Sequence, residues 1–87
     1  MRTPVGEIDI LARRGGVLAV IEVKQRKTHD EAGGAVGSNQ RRRLSRAARW
    51  ILSNRPQFAA LSLRYDAMLV APWRLPRHIA GAWTEDE

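Results

Sequence analysis

Polar and apolar residues alternate at the start of Glu7-Ile8-Asp9-Ile10-Leu11-Ala12-Arg13, the period of a strand with one buried face. Residues 17–24, Val-Leu-Ala-Val-Ile-Glu-Val-Lys, are rich in β-branched side chains and too short for a helix pattern, so they read as a second strand. Gly15-Gly16 between them supplies the positive φ angles of a two-residue turn, which makes the pair a β-hairpin. Residues 25–37 are polar, contain Gly33, Gly34 and Gly37, and show no apolar period; they read as a loop. Leu44, Ala47, Ala48 and Ile51 then recur at three- and four-residue steps, predicting a helix capped by Ser38 or Asn39 and ending near Asn54, ahead of Pro56. Residues 61–71 read as a third strand. Beyond the breakers Pro72 and Pro76, residues 77–83 form a last short strand or turn that anchors Trp83 on the core. With no repeat or linker, residues 1–87 are expected to make one α/β domain with an acidic tail at 85–87.

Charge adds a partner class to this outline. The chain of 87 residues has fifteen Lys and Arg against nine Asp and Glu, and three of those acids are Glu85, Asp86 and Glu87, so residues 1–84 carry a net charge of +9. Such a body favours polyanions by releasing their counterions, and nucleic acid is the expected partner. Arg41, Arg42, Arg43, Arg46 and Arg49 fall within nine residues of the predicted helix without an intervening acid. They gain nothing from pairing within the helix and are candidate phosphate contacts, as are Arg26 and Lys27 after the second strand and Gln40 at the helix start. The absence of cysteine excludes disulfides and thiolate metal sites. No apolar run approaches the roughly twenty residues that span a bilayer, and no secretory segment opens the chain. A cytoplasmic location without membrane contact is expected.

Counting outward from Gly15-Gly16, Arg14 faces Val17, Asp9 faces Glu22 and Glu7 faces Lys24. Opposed residues share a face, so these four polar side chains gather on one side of the hairpin, with Ile8, Ile10, Ile21 and Val23 on the other. A one-residue slip would separate Asp9 from Glu22. Converging carboxylates repel, raise one another's pKa, and are relieved by a divalent cation such as Mg2+ or Mn2+. A neighbouring lysine adds a positive group that orients water or stabilises charge developing on a phosphate. The same residues also fit a Glu7–Lys24 ion pair beside two solvated acids, and the pattern leaves both readings open.

Gly6-Glu7-Ile8-Asp9-Ile10-Leu11-Ala12 followed by Ile21-Glu22-Val23-Lys24 resembles the signature of the bacterial YraN-like proteins, which are similar to archaeal Holliday junction resolvases. The resemblance continues through Ala35-Val36, Arg41-Arg42-Arg43-Leu44 with Ala47-Ala48, and Arg64-Tyr65-Asp66. It implies a restriction-endonuclease-like α/β core of the PD-(D/E)xK type: a mixed β-sheet with a β-hairpin and a flanking basic helix. Asp9, Glu22 and Lys24 match its catalytic motif. The implied metal ligands are Asp9, Glu22 and the backbone carbonyl of Val23, with Glu7 as a further candidate. Family members begin with a helix of some tens of residues bearing another acid; this chain starts almost at the hairpin, so an N-terminally truncated core is expected. Gln40 stands where the family tends to carry lysine.

The remaining candidates are weaker. Trp50 and Trp73 are expected to pack on the core rather than stack on bases, His29 and His78 receive no role, and the function of Asp66 stays open. Two functions follow: a divalent-metal-dependent endonuclease acting on DNA, branched DNA included, or a non-catalytic nucleic-acid-binding or assembly protein. An exposed sheet face would also suit a homodimer.

Overall fold

The structure, a computed structural model, describes residues 1–25 and 37–85, the side chain of Ser38 excepted. Arg26, Lys27, His29, the Ala35-Val36 stretch and all of the predicted 25–37 loop but its two ends lie outside the described residues; of those ends, Gln25 closes the strand Val17–Gln25. Among the described residues six strands and one helix follow in order: β1 (Arg2–Thr3), β2 (Gly6–Glu7), β3 (Ile10–Arg14), β4 (Val17–Gln25), α1 (Ser38–Asn54), β5 (Ser62–Val70) and β6 (Arg77–Trp83). A single 3-10 turn, Pro56–Phe58, lies between α1 and β5. The chain is thus a mixed α/β domain with one basic helix, the architecture expected of a nuclease-like core.

Strands β3-β4-β5-β6 form one sheet in that order. The β3–β4 hairpin has the predicted register, with Arg14 opposite Val17 and Ile10 opposite Ile21. Gly15 takes φ 56 in the turn, a value an L-residue adopts at a cost. Parallel pairing of β4 with β5 runs from Val17↔Ser62 to Gln25↔Val70, and β6 returns antiparallel. Central β4 is β-branched over much of its length because both its edges are paired.

One face of the sheet packs under α1. Leu18, Val20, Tyr65, Ala67 and Leu69 meet Leu44, Ala47, Ala48 and Ile51 there, and Trp83 closes the cluster at 2 % exposure. Trp50 packs half-buried against its margin, as the sequence implied. The helix begins differently from expectation: Gly37, not Ser38 or Asn39, is the N-cap, and its carbonyl accepts the Arg41 N–H at 2.9 Å to close the first turn. The end at Asn54 is as predicted.

The hairpin departs from the simple count before residue 10. Gly6–Glu7 leaves β4 and pairs with Arg2–Thr3 in a separate two-stranded sheet, so Glu7 faces Arg2 at 3.9 Å instead of Lys24. Gly6 has φ 156, and a Cβ there would stand 3.0 Å from Cγ of Arg43, so the close approach of α1 to this turn requires glycine. The break also turns Ile8 inward. It is fully buried in the cluster under α1, whereas Ile10 is 41 % exposed on the opposite face.

Candidate functional site

Strand alternation decides which chemistry β4 can offer. Leu18 and Val20 point under the helix; continuing in steps of two, Glu22 and Lys24 follow on the same face, where the core reaches its end. Glu22 pairs in register with Ala67 and Lys24 with Leu69. Glu22 is therefore buried, at 8 % exposure, with apolar neighbours below and polar ones above.

Asp9 reaches this spot through the strand break. Backbone pairing of β3 with β4 stops at Ile10↔Ile21, and the next N–H along that edge of β4, from Val23, donates to Oδ2 of Asp9 at 2.9 Å. A side chain thus continues the ladder where the backbone has left it. Because a strand residue presents its N–H and C=O to the same edge, the Val23 carbonyl lies beside this contact.

Glu22 is held from two further directions. Nζ of Lys24 lies 3.5 Å from its Oε1, and Nε2 of Gln40, in the first turn of α1, donates to the same oxygen at 2.5 Å. Burial raises the Glu22 pKa first, and the negative charge of Asp9 raises it further. The charge and hydrogen bond of Lys24 pull it back, while a hydrogen bond with Asp9 favours the protonated form. The net direction is upward.

Two acidic side chains brought to one place offer hard oxygen donors that could hold Mg2+ or Mn2+. Among the described residues no group of three or more His, Cys, Asp or Glu converges. The protein would then supply Asp9, Glu22 and the Val23 carbonyl, a donor set that fits an ion such as Mg2+, which keeps several waters. Glu7 sits elsewhere, on β2 beside Arg2.

The helix arginines divide by direction. Arg42 and Arg46 are exposed. Arg43 lays its stem along Gly6. Arg41 stands over the Trp83 ring at 5.9 Å, and that ring stacks on Tyr65 at 5.5 Å. Arg49 is engaged by the chain itself, donating from Nε at 3.0 Å and Nη2 at 2.6 Å to Glu85, which also accepts the Tyr65 hydroxyl at 2.6 Å. Gln40, read from the sequence as a phosphate contact, bonds Glu22 instead.

The profile of the uncharacterised protein family UPF0102 matches residues 1–70, a span that contains Asp9, Glu22, Lys24, Gln40 and all of α1. This chain belongs to the UPF0102 family. It is the YraN-like group that the hairpin motifs resemble. UPF0102 proteins of Paramagnetospirillum magneticum and Parvibaculum lavamentivorans are 51 % and 52 % identical over 81 and 83 residues, covering 93 % and 95 % of this chain. One from Methylocella silvestris is 53 % identical over 77 residues. The chain spans 62–63 % of the length of these three UPF0102 relatives.

Sequence reasoning missed a second polar centre on the opposite face. Asp66 pairs in register with Ile21 and is fully buried. Its Oδ1 accepts Nε of Arg64 and the Gly81 N–H, both at 2.9 Å; its Oδ2 accepts Nη2 of Arg64 at 2.9 Å and meets Nε2 of His78 at 2.8 Å. Burial alone would raise its pKa, but the bonds from Arg64, Gly81 and His78, with the Arg64 charge, outweigh burial and hold it below the usual value. The bulge in β5–β6, where Gly81 has φ 62, brings these partners together. Nothing in the local pattern marks His78 as a partner of Asp66.

Proposed function

We propose that this chain is the core of a divalent-metal-dependent nuclease that hydrolyses phosphodiester bonds in DNA, branched DNA included. The observation that carries the reading is the convergence of Asp9, Glu22 and Lys24 at the end of the buried face, directly under the first turn of a basic helix. A bound Mg2+ or Mn2+ would act there as a Lewis acid on a phosphate oxygen and its attacking water. Asp9 and Glu22 would hold it, with Val23 Cα–carbonyl backbone fixed between them. Lys24, 3.5 Å from Glu22, would exchange that contact for a phosphate oxygen and stabilise charge accumulating on it. Gln40 fixes the Glu22 carboxylate in one orientation. Arg42 and Arg46, exposed on the helix, would take flanking phosphates without reading bases.

A second reading, nucleic-acid binding without cleavage, is favoured by one observation: only two carboxylates converge among the described residues. Cleavage assays on single-stranded, duplex and four-way DNA, with Mg2+ or Mn2+ titrated in, separate the two. Metal-dependent cleavage abolished by Glu22→Gln and Lys24→Ala supports the nuclease; tight binding with no metal-dependent cleavage rejects it.

A further inference from the structure

The end of the sheet that presents Lys24 also carries the most exposed aromatic side chain of the described residues. Gln25 pairs with Val70, and immediately beyond Val70 the chain turns through Ala71-Pro72-Trp73-Arg74, closed by the Arg74 N–H on the Ala71 carbonyl at 3.4 Å. Pro72 holds the second position. Trp73 holds the third with φ 60, the place that turns of this kind normally give to glycine. Trp73 is the non-glycine residue with positive φ among those described. The turn thus keeps a strained backbone at the residue whose side chain water favours least.

The indole is fully solvent-exposed, at 102 %, and Leu75 two residues on is 86 % exposed. The two other tryptophans behave in the ordinary way, Trp83 buried and Trp50 half-buried against the core. Packing, expected from composition, therefore fails for Trp73 alone. Its neighbours along the chain are cationic: residues 67–84 contain Arg74 and Arg77 and no acid. An exposed aromatic in a stretch of chain whose charged residues are arginines suits a polyanion that has flat faces to stack.

We propose that Trp73 is a stacking platform for an unpaired base of the nucleic acid whose backbone lies along the Asp9–Glu22–Lys24 end of the sheet, and that it makes the chain prefer nucleic acid with unpaired bases over continuous duplex. This inference rests on the nucleic-acid reading above and adds a specificity-determining residue to it. Parallel pairing of β4 and β5 sets the spacing, since Lys24 lies opposite Leu69, four residues before Trp73. A nucleic acid with a backbone phosphate at Lys24 therefore passes the end of the sheet from which the Trp73 turn projects.

The test measures binding of a fluorescent duplex and of the same duplex with a two-nucleotide bulge, in EDTA so that no cleavage intervenes. The full chain is expected to bind the bulged form about tenfold more tightly, the scale of one stacked base. Trp73→Gly relieves the backbone strain, so it should fold at least as well, and is expected to bring the ratio to about one; Trp73→Phe should keep most of it. Bulged DNA should also quench tryptophan emission in the native chain and not in Trp73→Gly. Equal affinity for both DNAs, or a preference that survives in Trp73→Gly, overturns the role of Trp73 while leaving DNA binding intact. Failure to bind any DNA overturns the nucleic-acid reading and this one with it. Tighter Trp73-dependent binding to phosphatidylserine vesicles than to bulged DNA would overturn it in favour of a lipid surface.

Discussion

Replacing Asp66 by asparagine tests the energetics of the buried centre most directly. The aspartate accepts four contacts from Arg64, His78 and Gly81 with no exposure to solvent. Asparagine keeps the shape but only one accepting oxygen. With that oxygen at the Oδ1 position, its amide group meets Nη2 of Arg64 donor to donor, and the charge that draws in the guanidinium is gone. Hydrogen bonds to a charged group contribute roughly 1.5–3 kcal/mol each and are not additive, and the exposure of Arg64 to solvent weakens its share. The expected loss is about 3 kcal/mol, which for a domain of this size lowers Tm by about 12–24 °C.

The pH dependence supplies an internal control. The Asp66 pKa is depressed in the folded chain below its ordinary 3.8, so its stabilisation is complete above that value and is lost as pH falls through the folded value. Urea unfolding at pH 7 should therefore show the full deficit of Asp66→Asn, and the gap between the two proteins should narrow below about pH 4. A deficit under about 0.5 kcal/mol at neutral pH, or one that stays constant into acid, would refute the account of a charged, hydrogen-bonded anchor.

Three further outcomes are expected. If Asp9 and Glu22 hold a divalent ion, Mg2+ or Mn2+ raises Tm by mass action, by about 2.7 kcal/mol of stability at a hundred times Kd, and Glu22→Gln removes the increment; calorimetry with and without metal checks it. Replacing exposed Arg42 and Arg46 together by glutamine lowers the slope of log affinity for duplex DNA against log salt by about 2, measured by anisotropy titration. Gly15→Val forces a β-branched residue into φ 56 at the hairpin turn and lowers stability by about 1–2 kcal/mol in denaturant melts.

Much of the site was legible because strand chemistry is periodic. Gly15-Gly16 fixes the register as far as Ile10↔Ile21, strand alternation puts Glu22 and Lys24 on one face, and Asp9, the residue just before the paired stretch, bonds the next N–H of β4. The count failed at Glu7 and Ile8, where it assumed a continuous strand. Packing of Arg43 against Gly6 rewards a turn there, and that contact joins residues far apart in sequence. Gln40 reads as a phosphate contact because it stands where the resembling family tends to carry lysine; only the docking of α1 over β4 shows that it meets Glu22. The same limit hid His78, which reaches Asp66 through a bulge between two strands. For Trp73, side-chain hydrophobicity argued for burial, and a proline-initiated turn overrode it.

The parallel pairing of β4 with β5 also governs how the molecule must be made. Every pair along that interface joins residues 45 positions apart, whereas the hairpin closes within a few. Closing the long connection is entropically slow and comes late. During synthesis the trio is present once residue 24 has left the ribosome, yet Glu22 cannot be desolvated against Ala67 or gripped by Gln40 until the third strand follows. In that interval β4 exposes an apolar, β-branched edge, the kind that pairs with another chain's copy. Arg13 and Arg14, both exposed at the end of β3, put like charges on neighbouring hairpins and oppose such pairing. Asp9 and Glu22 therefore precede in the chain the strand and the helix that complete their surroundings.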